Sequence, residues 1–128
     1  MGNPAWRFEG NERKYLEEVL STGFRAGADG AFTTRLESAF SKKYHVPYAI
    51  AFNSGTTTLH AILLALGCKE GDEVLTPALT PLMCGLSTYY TGATPVYVDS
   101  LPDTFLMDPN DLERKISSKS KVIFVTHM

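Results

Sequence analysis

The chain has 128 residues, 44% of them hydrophobic, with twelve basic and fourteen acidic side chains and a net charge of -2. That is enough for one compact domain with a core, and the mixed charges leave no basic stripe for nucleic acid or an anionic membrane. Cys68 and Cys84 stand apart from any CxxC or Cys/His spacing, so no zinc motif or disulfide framework is expected and a reducing cytoplasm fits best.

Met1 to Trp6 lack the basic and apolar regions of a secretory leader and the hydroxyl residue a myristoylation signal needs at position 6. No apolar run approaches the roughly 20 residues that span a bilayer, so a soluble protein is expected. Tyr15, Leu16, Val19 and Leu20 recur at helical spacing, which predicts an amphipathic helix over 11–20 closed by Gly23. Glu9, Glu12, Glu17 and Glu18 read as its solvated face. The glycine-rich stretch Gly23 to Gly30 reads as a loop, and Thr34 with Glu37 has capping-box spacing for a second helix starting near Thr33 and running to Tyr44.

Beyond Tyr44 the pattern alternates. Apolar runs at 48–52, 73–75, 95–98 and 122–126 predict strands, separated by helices over 56–66, 80–90 and 108–116. Such alternation implies right-handed crossovers and an α/β fold, a mainly parallel sheet with helices on both faces, preceded by two helices. Gly67 and Gly92 follow two of the helices where a left-handed residue closes a helix, and Asp108-Pro109 places an N-cap before a proline at the first helical position. Without a linker or repeat, the expectation is one incomplete α/β domain over 1–128, helical over 1–44 and alternating over 45–128.

The segment from Ala49 to His60 runs from an apolar stretch into Asn53-Ser54-Gly55-Thr56-Thr57 and directly into a helix. Free N–H groups at a helix start, with the positive end of the dipole behind them, suit an anion such as phosphate. Gly55 permits close backbone approach, and the hydroxyls of Ser54, Thr56 and Thr57 can add hydrogen bonds; a plain serine cap with no ligand is the bland alternative. Neither a Walker loop nor a GxGxxG fingerprint is present, so a single terminal phosphate fits better than a nucleotide triphosphate.

A series of short motifs runs in order along the chain: Phe40 to Val46, Asn53-Ser54-Gly55-Thr56, Leu64-Ala65-Leu66-Gly67, Gly71-Asp72-Glu73-Val74, Thr76-Pro77-Ala78-Leu79-Thr80 and Gly92 to Asp99. Pro102 to Phe105, Met107-Asp108-Pro109 and Val125-Thr126-His127 complete it. Together they resemble the DegT/DnrJ-type sugar aminotransferases, fold-type I enzymes dependent on pyridoxal 5'-phosphate (PLP). The resemblance implies the amino-terminal part of the large domain of such an enzyme, with Gly55 and Thr56 on the PLP phosphate beside Ser54. It places Pro81 where family members often carry an aromatic stacked on the pyridine ring; proline offers an apolar face without a π-system, and Leu79 or Leu82 can fill part of that space. Thr80-Pro81 also reads as a plain cap and first turn of a helix.

Amino transfer on PLP needs a phosphate anchor, an acid at the pyridine nitrogen and a Schiff-base lysine. The resemblance puts the last two beyond the segment equivalent to His127-Met128. Lys14, Lys42, Lys43, Lys69, Lys115, Lys119 and Lys121 fall in polar helical or loop contexts, so no catalytic residue is expected in this chain and it is expected to be inactive alone. The implied parent is a homodimer moving an amino group from glutamate or glutamine to a nucleotide-linked keto sugar. The alternative is a non-catalytic domain binding a phosphorylated ligand on the same scaffold. His127 is a further candidate near the cofactor end, Asp99 reads as a turn residue, His60 as a packing residue, and Tyr89, Tyr90 and Tyr97 as core and helix-to-sheet contacts. Metal ligands are not expected.

Overall fold

The computed structural model describes residues 10–22 and 31–127. They fall into two compact units divided between Ala51 and Phe52. The first carries helices α1 (Glu12–Ser21) and α2 (Ala31–Tyr44). Side chains join these two: Arg35 pairs with Glu18 at 2.8 Å and lies over the rings of Tyr15 and Phe32, which meet edge to face at 5.8 Å. Neither helix buries a described residue completely.

The second unit alternates α3 (Gly55–Ala65), β1 (Glu73–Pro77), α4 (Met83–Tyr90), β2 (Thr94–Val98), α5 (Pro109–Lys115) and β3 (Ser120–Ile123). The three strands form a parallel sheet in the order β2-β1-β3. The crossover from β1 to β2 and the one from β2 to β3 therefore run in opposite directions across the sheet. With right-handed connections that sends α4 and α5 to opposite faces of the sheet. Burial agrees: Val74, Leu75, Thr76 and Pro77 of the central strand are all buried, as expected of a strand covered on both sides.

One face closes on Leu63 of α3 with Cys68, Val74 and Ala93, flanked by Val122 and Phe124. Burial raises the Cys68 thiol pKa above its usual value. Gly67, with φ +71°, turns the chain out of α3 in the left-handed region, and Gly92, with φ +81°, does the same after α4, as their positions predict. Lys121 of β3 donates to the Gly67 carbonyl at 2.6 Å and to the Asp72 carboxylate at 3.1 Å, tying the end of α3 to the sheet. Asp108 caps α5 by accepting from the Asn110 N–H at 2.8 Å, with Pro109 opening the helix, again as predicted.

Several boundaries differ from expectation. Residues 48–52 form no strand; Tyr48 is 84% and Ile50 73% exposed, and a parallel strand needs a ladder partner that these residues lack among those described. α2 begins at Ala31, so Thr34 lies inside it, and the Glu37 carboxylate accepts from the Ala51 N–H at 2.8 Å instead of closing a capping box. α4 begins at Met83 with Leu82 at its cap, three residues after the predicted start. β1 runs on to Pro77, whereas β3 stops at Ile123; Phe124 still donates to the Leu75 carbonyl at 2.9 Å. Lys121 sits in β3 and not in a loop. Tyr89, Tyr90 and Tyr97 are exposed and outside the buried core, but Tyr97 of β2 lies against Gly85 of α4, a helix-to-sheet contact of the kind expected. The Gly23 closure, the Gly23 to Gly30 loop and Glu9 lie outside the described residues.

Candidate functional site

Ser54 stands before α3 in extended conformation, φ -159° and ψ 158°, and its hydroxyl accepts from the Thr57 N–H at 3.3 Å. The Ser54 carbonyl accepts from the Thr58 N–H at 3.2 Å and the Thr58 hydroxyl at 3.1 Å. Thr57 turns its hydroxyl inward, 2.6 Å from Asn53 Oδ1 and 2.7 Å from Ser54 Oγ. The sequence suggested three outward hydroxyls here, but Ser54 and Thr57 spend theirs on each other and on Asn53.

Three donors remain. The N–H groups of Gly55 and Thr56 and the Thr56 hydroxyl find no acceptor among the described residues. They sit in the first turn of an 11-residue helix, where unpaired N–H groups and the dipole both favour an anion. A Cβ built on Gly55 meets no atom of the described residues within 4 Å, and its φ is not left-handed, so neither their packing nor the backbone conformation requires glycine there. What the missing side chain leaves open is room for something to approach the amides from outside.

Pro81 lies in the loop between β1 and α4, at the carboxyl end of the sheet where ligands of open α/β folds gather. This loop is anchored by the Ala78 N–H on the Val98 carbonyl at 2.7 Å and by the Cys84 N–H on the Pro81 carbonyl at 3.1 Å. Thr80 is not a helix cap: its hydroxyl lies 3.1 Å from that of Thr126 and 3.3 Å from Cys84 Sγ. Ser54, Gly55 and Thr56 are thus assembled as one mouth, while Pro81 sits on a separate loop and no hydrogen bond joins the two among the described residues. Thr126, half-buried after β3, was not singled out from the sequence, because nothing local marks a partner 46 residues away.

The other candidates take structural or peripheral places. Asp99 accepts from the neighbouring Ser100 N–H at 2.8 Å, a turn bond, and its own N–H donates to Asp111. Asp111 also holds Arg114 and Lys115, at 3.0 and 2.8 Å. The backbone donor first, then Lys115 and Arg114, lower its pKa from 3.8 to about 2. His60 is half-buried and meets Tyr90 edge to face at 5.7 Å, the packing role expected of it. His127 is exposed beyond β3. A cleft of about 730 Å³ beside Tyr89, Tyr90, Thr94 and Pro95 lies at the amino end of β2, the opposite end of that strand from the loops above. Among the described residues no cluster of His, Cys, Asp and Glu could hold a metal, and no helix is long and apolar enough to cross a membrane.

Fold and helix mouth together define a class: parallel α/β domains that offer free amides at a helix start to an anion. A model of the DegT/DnrJ/EryC1/StrS aminotransferase family matches residues 7–128, and the chain belongs to that family. The GDP-perosamine synthase of Caulobacter vibrioides is 43% identical over 122 residues, covering 95% of this chain and 33% of that protein. Its namesake in Escherichia coli O157:H7 is 40% identical over 119 residues, covering 93% and 32%. Spr1654 of Streptococcus pneumoniae, assigned to sugar amino transfer and solved in PLP and PMP forms, matches with a TM-score of 0.76 at 40% identity over 84% of this chain and 28% of its own. The chain therefore spans about a third of the length of the curated relatives it matches.

Proposed function

We propose that this chain carries the phosphate cradle of a PLP-dependent aminotransferase acting on a nucleotide-linked keto sugar. Ser54, Gly55, Thr56 and Pro81 are the cofactor-binding residues of this reading. The observation that carries it is a set of donors at the start of α3, two amides and the Thr56 hydroxyl, that find no partner among the described residues, beside the open space at Gly55. A phosphate monoester presents terminal oxygens that are all acceptors, so the mouth and the ligand are complementary in sign. Gly55 and Thr56 bind the phosphate, Ser54 fixes the turn that aims them, and Pro81 offers an apolar surface toward the ring. Bound PLP supplies the electron sink for amino transfer.

No lysine of this chain is assigned to the cofactor. Lys115 and Lys121 are already engaged, on the Tyr97 carbonyl with Asp111 and on the Gly67 carbonyl with Asp72, and Lys42 and Lys43 close α2 in the first unit. The amino donor of the whole enzyme is read as glutamate or glutamine, its assembly as a homodimer and its compartment as the cytoplasm. Residues 1–128 on their own are read as inactive.

Equilibrium dialysis tests the cradle. The chain should retain PLP in preference to pyridoxal, which lacks the phosphate, and Thr56→Val should weaken PLP retention about tenfold, the scale of a hydrogen bond to a charged group. Equal retention of PLP and pyridoxal would remove the basis of the assignment. Incubation with PLP, glutamate and a GDP-linked keto sugar should yield no amino sugar, and turnover would refute the inactivity.

A further inference from the structure

The loop between β1 and α4 is held in an unusual way. Its apolar residues do little to fix it, since Leu79 is 49% and Leu82 66% exposed, and Pro81 has no N–H to anchor. The backbone bonds at its two ends run to β2, from Ala78 to Val98, and into α4, from Cys84 to Pro81. Between them, the described tether toward β3 is the Thr80 hydroxyl, which meets Thr126 at 3.1 Å and Cys84 Sγ at 3.3 Å. Both threonines are half-buried, so the pair is partly shielded from competing water.

We propose that Thr126 is a positioning residue: through Thr80 it fastens the segment after β3 to the loop that carries Pro81, and so sets where Pro81 stands on the ring side of the cofactor. This rests on the reading of Pro81 as a cofactor-binding residue. The clasp acts on the ring alone, because the phosphate donors belong to a different segment at the start of α3. Valine in place of Thr126 keeps the branched shape and removes the hydroxyl; serine keeps the hydroxyl.

Two measurements on the full chain test the proposal. In amide hydrogen exchange, Thr126→Val should speed exchange at Ala78 and Cys84, whose N–H groups hold the two ends of the loop, about fivefold, the scale of one net hydrogen bond. Leu75 and Thr76 in β1 should stay as in the wild type, and Thr126→Ser should stay near the wild type throughout. Unchanged loop exchange in the valine variant, or an equal rise in β1, overturns the clasp. In ligand titrations, Thr126→Val should weaken PLP several-fold while leaving inorganic phosphate unchanged. An equal loss for both ligands reduces Thr126 to a purely structural residue and overturns the positioning role. If wild type and variant bind PLP alike, the positioning role alone fails. A wild-type chain that binds neither ligand overturns the cofactor reading and the positioning role with it.

Discussion

The two units of this chain use similar apolar content to different effect. In the first, Leu16, Leu20, Leu36 and Phe40 are at least half exposed, and the described contacts between α1 and α2 run through Arg35, Glu18, Tyr15 and Phe32. In the second, Leu63, Val74, Leu75 and Val98 are fully removed from water. Amphipathic spacing makes a helix available for packing, and burial only follows where a second surface meets it. A sheet provides such a surface on each face.

The comparison breaks most sharply at Leu63. Leu63→Ala should cost about 2–5 kcal/mol of stability, because it empties a site closed by Cys68, Val74 and Ala93. Leu36→Ala, on an exposed position of α2, should stay within about 0.5 kcal/mol. Urea denaturation of the two variants measures both, and similar losses would contradict the contrast drawn here.

Next comes acid. The depressed pKa of Asp111, about 2 against 3.8, means that its bonds stabilise the fold fully above about pH 4, and that this contribution is lost as pH falls toward 2. Asp111→Asn should therefore flatten the stability profile between those values in the second unit, read as unfolding midpoints at pH 2, 3, 4 and 5. A wild-type slope retained in the variant would assign the acid response to other carboxylates.

A smaller loss is expected at Gly67. Alanine there meets nothing closer than Lys121 Nζ at 3.7 Å, so the cost is conformational: a side chain at φ +71° should cost about 1 kcal/mol. A thermal melt reads it, and no loss would mean that the chain leaves α3 by another route. The last loss belongs to the first unit and is no larger. Glu18→Gln removes an exposed ion pair to Arg35 and should cost at most about 1 kcal/mol, less at high salt, as followed by helix ellipticity against ionic strength.

Much of the candidate site was legible because its signals are local. Ser54 before a helix, Gly55 without a side chain and the threonines behind it mark a turn whose bonds span at most four residues, and the structure forms that turn. The same local reading overestimated the outward hydroxyls, since it could not count how Ser54, Thr57 and Asn53 satisfy one another. At Thr80 it chose the nearest use of a threonine before a proline, a helix cap, whereas the hydroxyl is taken by Thr126 and Cys84.

The sequence by itself determined the alternation of helices and strands, the left-handed glycines at 67 and 92, the Asp108 cap and the helix mouth at Ser54, because each depends on backbone preferences and hydrogen bonds within a turn or two. Tertiary structure alone decided the order β2-β1-β3, the exposure of the three tyrosines, the absence of a strand at 48–52 and the meeting of Thr80 with Thr126. Those outcomes depend on which distant segments become neighbours. A pattern of polar and apolar residues states what each segment can cover, but not what will come to cover it.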